Sequence, residues 1–130
     1  CICPDCAPPE GVNWAEERAP LLETLQTYAK ADKCVIVDCL TLWLAQCICP
    51  DCAPPEGVNW AQERAALLEI LPTLAGTILL VSNEVGMGIV PLGEINRQFQ
   101  DEQGRLNQAL AQIADKVSFV AAGLPLLLKG

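Results

Sequence analysis

The 130-residue sequence predicts an α/β protein, with a mostly parallel sheet flanked by helices. Short apolar runs alternate along the chain with segments whose leucines recur at helical spacing, and this alternation favours a parallel sheet. The apolar runs carry no polar alternation, which is typical of strands buried on both faces. A chain of this length forms one domain with one core.

The first half of the chain predicts one buried strand and three helices around it. Residues 34–40 form a strand, and Cys34 and Cys39 at its ends are expected to be small buried residues. Pro72 and Gly76 end the helix before the next strand. The helices predicted in this half are Trp14–Ala31, a shorter one starting over Thr41–Ala45, and Trp60–Leu71.

The second half predicts two more strands around one long amphipathic helix. Residues 77–82 form the second buried strand, and a glycine-rich loop over 86–91 leads into the helix. Gly104 inside this helix predicts a kink or a close contact, because glycine costs about 1 kcal/mol there against alanine. Residues 116–122 are the third buried strand, closed by Gly123-Leu-Pro. The apolar stripe of the long helix is Ile95, Phe99, Leu106, Leu110 and Ile113.

Charge and composition exclude several kinds of partner. Sixteen acidic and eight basic residues give a net charge of −8, which opposes binding to nucleic acid or to an anionic membrane. No apolar run approaches the roughly 18–20 residues of a membrane span, and nothing resembles a signal peptide, so we expect a cytoplasmic protein. The sequence contains no histidine, hence no imidazole base, nucleophile or metal ligand.

Residues 1–25 recur as residues 47–71, with differences only at positions 16/62, 20/66 and 24/70. Turn residues are copied too, and no third copy follows, so we interpret the repeat as a duplication with one copy outside its natural context. Each copy begins Cys-x-Cys-x-x-Cys, a spacing that suits zinc or an iron–sulfur cluster, an ordinary reduced loop, or a disulfide. The six thiols are Cys1, Cys3, Cys6, Cys47, Cys49 and Cys52.

Polar residues end the first two predicted strands. Asp38 ends the first, and Asn83 and Glu84 follow the second. Ligands of parallel sheets bind beyond the carboxyl ends of strands, so these residues are candidates for holding Mg²⁺ or a phosphate. Helix capping and ordinary turn chemistry are the alternatives at both places.

Arg97, Asp101 and Arg105 share one face of the long helix, opposite the apolar stripe. They are either a solvated ladder of ion pairs or a pair of arginines that reaches a phosphate or a substrate carboxamide.

Three segments together resemble a known enzyme family: VIVDCLTLWL at 35–44, LVSNEVGMGIVP at 80–91 and RQFQDEQGRLNQ at 97–108. Over residues 33–130 the chain resembles the bifunctional adenosylcobinamide kinases/adenosylcobinamide-phosphate guanylyltransferases of cobalamin biosynthesis. The resemblance implies a RecA-like P-loop fold. It also implies phosphorylation of adenosylcobinamide with ATP or GTP and Mg²⁺, followed by transfer of GMP from GTP through a guanylated histidine to give adenosylcobinamide-GDP. A homo-oligomer, a trimer in the family, is implied as well.

The same resemblance implies roles for individual residues. Asp38 matches an acidic residue that contacts nucleotide or Mg²⁺, and Glu16 matches an upstream nucleotide-contacting glutamate. Asn83 and Glu84 match a turn beside the phosphate loop. The helix motif of the family is matched by Arg97, Asp101, Arg105 and Asn107.

The chain departs from that family at its front end. Residues 1–25 duplicate 47–71 where the family has its first strand, its glycine-rich phosphate loop with lysine, and the guanylated histidine. We therefore expect residues 1–130 to form a single partial domain with exposed strand edges that is inactive alone in both steps. The alternative hypothesis is a non-catalytic cysteine-loop module that binds zinc or an iron–sulfur cluster.

Overall fold

The computed structural model describes residues 21–49 and 58–130, which form a small core of helices against a parallel strand pair. Four helices and four strands occur along these residues. The helices are α1 (Leu21–Tyr28), α2 (Leu40–Ile48), α3 (Trp60–Ile70) and α4 (Glu94–Ile113), and a short 3₁₀ turn (Leu71–Thr73) extends α3. The strands are β1 (Cys34–Asp38), β2 (Thr77–Val81), β3 (Val117–Ala121) and β4 (Leu124–Lys129).

Strands β1 and β2 pair in parallel, from Cys34 opposite Thr77 to Asp38 opposite Val81. Gly76 directly precedes β2 with a φ of +86°, and a Cβ there would lie 2.1 Å from the backbone oxygen of Lys30. Only glycine fits this approach, which lets the Thr77 amide donate to the Lys33 carbonyl oxygen and start the register.

Leucines from four helices meet beneath one face of this strand pair. Trp43 and Trp60 join the rim of this core with their rings edge to face, 5.2 Å between centroids. The fully buried members of the core are Leu25, Leu40, Leu67 and Leu106, with Leu110 beside them. The α/β class predicted from the sequence is therefore confirmed, with a parallel pair packed on helices.

The prediction that the strands are buried on both faces is wrong. The outward residues of β1 and β2 are exposed, Ile36 at 63% and Leu79 at 49%, because no described element covers that face. The two cysteines expected to be buried also differ, since Cys34 is exposed and Cys39 is half-buried.

The third predicted strand is present, but the prediction that it is buried in the parallel sheet is wrong. Strand β3 is not part of the parallel pair, and it forms an antiparallel hairpin with β4, a strand that the sequence analysis did not predict. Ala122 and Gly123 make the two-residue turn, both with positive φ, as tight hairpins require. Every residue of β4 is exposed, so its apolar composition did not indicate burial.

In the long helix, the central residues of the predicted apolar stripe are buried, and the residues at its two ends are partly exposed. Leu106 and Leu110 are buried, whereas Ile95 and Ile113 are about two-fifths exposed. Gly104 lies inside the continuous helix with open space around it, so the expected close contact is absent. The start of the helix predicted from Trp14 lies outside the described residues. Within residues 21–49 and 58–130, no helix is long and apolar enough to cross a membrane.

Candidate functional site

The carboxyl ends of β1 and β2 lie side by side, as the sequence analysis predicts for a ligand site. Asp38 is opposite Val81, so its carboxylate and the Ser82-Asn83 segment share one edge of the strand pair. Asp38 is exposed and makes no hydrogen bond or ion pair with any described residue. A free carboxylate at this edge is able to bind a cation.

The first turn of α2 holds Asn83 in place. The Thr41 hydroxyl accepts from the Asn83 backbone amide at 3.0 Å and from its side-chain Nδ2 at 3.2 Å. This double contact ties the segment after β2 to the helix that follows β1. The edge is therefore built from two strand ends and one helix start, all fixed relative to one another.

A polar network on α4 completes the edge. Asn107 Nδ2 donates to the Asn83 carbonyl oxygen at 3.1 Å, while its Oδ1 accepts from the Ser82 hydroxyl at 2.6 Å and from Gln103 Nε2 at 3.0 Å. Two donors on Oδ1 fix the orientation of the Asn107 amide, and this orientation directs Nδ2 at Asn83.

Gln103 was missed by the sequence analysis, although the stripe of α4 contained a signal for it. The predicted stripe leaves a seven-residue gap between Phe99 and Leu106, and Gln103 fills that gap, fully buried. Its Nε2 also donates to the Ser82 hydroxyl at 2.9 Å, and its Oε1 has no partner among the described residues. A gap of two turns in an otherwise regular apolar stripe indicates a buried polar residue.

The Glu84 side chain caps the turn in which it lies. Its Oε1 accepts from the Gly86 amide at 3.0 Å, the turn chemistry that the sequence left as an alternative. The Val85 carbonyl oxygen accepts from Gln100 Nε2 at 3.0 Å, so α4 also holds the next residue of this segment.

The three charged residues on the outer face of α4 do not form the predicted ladder of ion pairs. Arg97 donates to the Pro91 carbonyl oxygen at 3.5 Å, and Asp101 has no ion pair with a described residue. Arg105 pairs with Glu102 instead. At 100° per residue, Asp101 and Arg105 lie about 160° around the helix axis from Gln103, on a face turned from the polar network.

Glu102 anchors a second cluster, between α3 and α4. Its Oε2 accepts from Trp60 Nε1 at 2.6 Å and from Arg64 at 3.0 Å, and its Oε1 accepts from Arg105. Burial favours a higher pKa, but the hydrogen bonds from Trp60 and Arg105 and the charges of Arg105 and Arg64 outweigh it, so the pKa of Glu102 is lowered. A cavity of about 450 Å³ beside it is lined in part by Cys47 and Asn59.

The strand edge offers one carboxylate for the Mg²⁺ of a nucleotide, if one binds there. Asp38 offers an oxygen ligand of the type that Mg²⁺ prefers. No described lysine is shown at the edge: Lys33 pairs with Asp32 at the amino end of β1, and Lys129 donates to the end of α4. The sequence also contains no Gly-x4-Gly-Lys-Ser/Thr loop. Among the described residues, this edge therefore offers one carboxylate for Mg²⁺ and no lysine for a phosphate chain.

The predicted metal-binding cysteines are described only at Cys47 and Cys49, and the other four lie outside the described residues. Burial, with the charge of Glu63, raises the pKa of the Cys47 thiol to about 11, so this thiol is protonated at neutral pH when no metal is bound. No cluster of three metal-ligating side chains occurs in the described part of the chain. Glu16 also lies outside it, and its role stays a prediction.

Comparisons with known proteins point to one family. The sequence model of a family described as cobinamide kinase / cobinamide phosphate guanyltransferase matches residues 9–128. A relative from Pseudomonas aeruginosa, called bifunctional adenosylcobalamin biosynthesis protein CobP, is 50% identical over 115 residues, which are 88% of this chain and 64% of that protein. The Salmonella typhimurium protein called bifunctional adenosylcobalamin biosynthesis protein CobU is 50% identical over 52 residues, 40% of this chain and 29% of its own length. The chain thus spans less than two thirds of these relatives.

Proposed function

Because the chain belongs to the cobinamide kinase / cobinamide phosphate guanyltransferase family, we propose that it takes part in adenosylcobalamin biosynthesis. The reactions proposed are nucleotide-dependent phosphorylation of adenosylcobinamide and guanylyl transfer from GTP to adenosylcobinamide phosphate. The observation that supports this most directly is the strand edge where Asp38 pairs opposite Val81 and Asn107 holds Asn83, formed by the motifs that carry the resemblance.

Asp38 is proposed to hold Mg²⁺, directly or through water, which would neutralise charge on a bound nucleotide. Thr41 and Asn107 act as positioning residues, because each holds Asn83 by hydrogen bonds. The proposed contributions of Arg97, Asp101 and Arg105 require a ligand that extends onto the outer face of α4. Glu84 contributes through the turn that it caps.

The 130 residues alone are proposed to be inactive in both steps. The sequence offers no histidine to carry the guanylyl group and no glycine-lysine loop to hold the β- and γ-phosphates. Purified chain incubated with labelled GTP, Mg²⁺ and adenosylcobinamide should yield neither adenosylcobinamide phosphate nor adenosylcobinamide-GDP. The P. aeruginosa relative serves as the positive control, and product formed by this chain at a comparable rate would contradict the proposal.

Ligand binding tests the site itself. With GTP and Mg²⁺ at millimolar concentration, we expect weak binding that shifts the amide NMR signals of residues 38–41 and 82–84. Asp38→Asn should weaken this binding at least about fivefold, because it removes the anionic ligand of the metal. Asp32→Asn is the matched control, since Asp32 pairs with Lys33 at the opposite end of β1. Shifts that are absent, or equal in Asp38→Asn, would count against a nucleotide site at this edge.

A further inference from the structure

The segment between β2 and α4 exposes a concentration of apolar side chains. We name residues 85–92, VGMGIVPL, the apolar loop; none of its side chains is charged or polar. Its large side chains are mostly exposed, with Met87 at 76%, Ile89 at 97%, Val90 at 67% and Leu92 at 91%. Apolar side chains crowded on one exposed loop are typical of a surface that binds an apolar ligand or partner.

Side-chain amides of α4 hold the apolar loop at both ends. Gln100 Nε2 donates to the Val85 carbonyl oxygen at 3.0 Å, and Asn96 Nδ2 donates to the Leu92 carbonyl oxygen at 3.2 Å. A loop that is fixed before its ligand arrives loses less conformational entropy on binding. The oxygens of the same two amides accept no hydrogen bond from a described residue, so they are able to accept one from a ligand.

The apolar loop is continuous with the strand edge of the candidate site. Val85 lies two residues after Asn83, so their Cα atoms are at most about 7 Å apart. The proposed substrate, adenosylcobinamide, carries its reacting hydroxyl at the end of an aminopropanol arm, and most of the molecule is a macrocycle studded with methyl groups. When the hydroxyl reaches a nucleotide at the strand edge, the macrocycle must lie beside that edge, where the apolar loop begins.

The charges beside the apolar loop are complementary to this ligand. Glu84 and Glu94 flank the loop, are exposed, and form no ion pair with a described residue, whereas the first turn of α4 adds one cation, Arg97. The rim is therefore negative, on a chain of net charge −8. Adenosylcobinamide is a cation, because the charge of cobalt(III) exceeds the charges of the corrin ring and the adenosyl ligand. An apolar loop with a negative rim favours an apolar cation over an anionic ligand or an anionic membrane.

We propose that the apolar loop binds the corrin macrocycle of the substrate, with Met87, Ile89 and Leu92 packed against the methylated face of the ring. Glu94 lies beside the positive charge, and Asn96 accepts a hydrogen bond from a carboxamide at the edge of the ring. The loop contributes binding and positioning, and no bond forms or breaks there. This inference rests on the proposed function, because it takes adenosylcobinamide as the substrate.

Equilibrium dialysis of the 130-residue chain against adenosylcobinamide, in the dark and without nucleotide, tests the proposal through the visible absorbance of the corrin. Wild-type chain should bind the corrinoid, and Ile89→Asn should weaken this binding at least about tenfold, because it removes the most exposed apolar contact of the loop. Leu127→Asn is the matched control at an exposed leucine of β4 and should leave binding unchanged. Strand β4 contacts the last turn of α4 through Lys129, whereas the loop precedes the first turn. Circular dichroism confirms that each variant is folded.

Charge gives a second readout that general adhesion to an apolar surface does not imitate. Glu94→Gln should weaken corrinoid binding about two- to threefold and reduce its dependence on salt. Cobyrinic acid, which has carboxylates where adenosylcobinamide has amides, should bind more weakly than adenosylcobinamide. The NMR signal of the Met87 methyl group should shift when adenosylcobinamide is added, in wild-type chain and in Leu127→Asn.

The outcomes separate this proposal from the proposed function. Equal corrinoid binding by wild-type chain and Ile89→Asn would overturn the loop assignment and leave the corrinoid substrate in place. No corrinoid binding, with the GTP-dependent shifts of residues 38–41 and 82–84 present, would overturn the loop assignment and leave the nucleotide site in place. Absence of both signals would count against the proposed function as well. Tighter binding of cobyrinic acid than of adenosylcobinamide would overturn the match between the loop and an apolar cation.

Discussion

At the scale of single residues, Glu102 carries the densest set of charged contacts in the described chain. Its side chain is 16% exposed and holds Arg64 and Arg105 at the same time, while Trp60 donates to the oxygen shared with Arg64. Two of its three donors, Trp60 and Arg64, belong to α3, so the carboxylate connects α3 to α4. The ionised form of Glu102 is therefore part of the folded structure and sets a pH dependence of stability.

We expect Glu102→Gln to lower the free energy of unfolding by about 1–3 kcal/mol at pH 7, because charged hydrogen bonds become neutral ones. The folded-state pKa of Glu102 is lowered, so its contribution is present above the unfolded pKa and is lost as the pH falls through the folded pKa. Urea unfolding at pH 7, 5 and 3 should show the difference between wild type and Glu102→Gln shrinking toward pH 3. Glu69→Gln, at an exposed residue of α3, is the control. A difference that stays constant with pH would contradict the assignment.

Substitutions of Asn107 and Gln103 are expected to change the free energy of unfolding by different amounts, although both side chains belong to one hydrogen-bond network. Asn107→Ala removes three hydrogen bonds and should cost about 2–3 kcal/mol. Gln103→Met removes two, but it also removes the buried Oε1 that has no described partner, and Ser82 and Asn107 keep their bond to each other. Its net effect should be within about 1 kcal/mol of zero. Equal losses in the two variants, measured by urea unfolding, would show that Gln103 Oε1 is satisfied by a group outside the described residues.

At the scale of elements, the end of α4 depends on the hairpin that follows it. Lys129 of β4 donates to the Ala111 and Gln112 carbonyl oxygens at 3.0 and 2.9 Å, in the last turn of the helix. A cation there offsets the negative end of the helix dipole and satisfies carbonyl groups that the helix leaves unpaired.

Lys129→Met should therefore cost about 0.5–1.5 kcal/mol and increase hydrogen exchange in the last turn of α4, whereas Lys129→Arg should retain most of the stability. Lys116→Met is the control for loss of one positive charge near the hairpin. Equal exchange in the Met variants at positions 116 and 129 would mean that the two contacts of Lys129 contribute nothing.

Elements with a clear local signal, such as a helix cap, a helical apolar stripe or a short apolar run, could be predicted from the sequence. Helix α3 begins at Trp60 as predicted, because Asn59 caps it by accepting from the Gln62 amide. Helix α4 and strands β1 and β2 follow from periodicity and composition. Strand β4 was missed because Pro125 and the uninterrupted leucines after it do not alternate as hairpin strands usually do.

Part of the candidate site could also be predicted from the sequence. The carboxyl-end rule brings Asp38 and Asn83 together, and the resemblance adds Asn107. Thr41 and Ser82 entered only with the structure, because their hydroxyls act across elements that are 42 and 25 residues apart in sequence. Helical spacing placed Arg97, Asp101 and Arg105 on one face, and it could not show that Arg105 has a better partner in Glu102.

At the scale of the whole molecule, the described residues leave one face of the parallel pair uncovered. Ile36, Leu79 and Val81 are exposed there, and the sequence analysis expected them to be buried because parallel sheets normally carry helices on both faces. The composition of a strand shows that it is apolar, but it does not show whether a layer of helices covers that face. An exposed apolar sheet face with open strand edges is a site of aggregation.

The isolated chain should therefore aggregate through this face at high concentration. Ile36→Thr combined with Leu79→Thr keeps β-branched or strand-compatible side chains while removing apolar surface, so it should slow the growth of light scattering at least about threefold without loss of secondary structure. Leu80→Thr is the matched comparison one residue along β2, on the opposite face, and it should instead destabilise the fold, because Leu80 packs against the buried leucines. If the double variant scatters light as fast as wild type, aggregation proceeds through the β3–β4 hairpin, whose leucines are equally exposed.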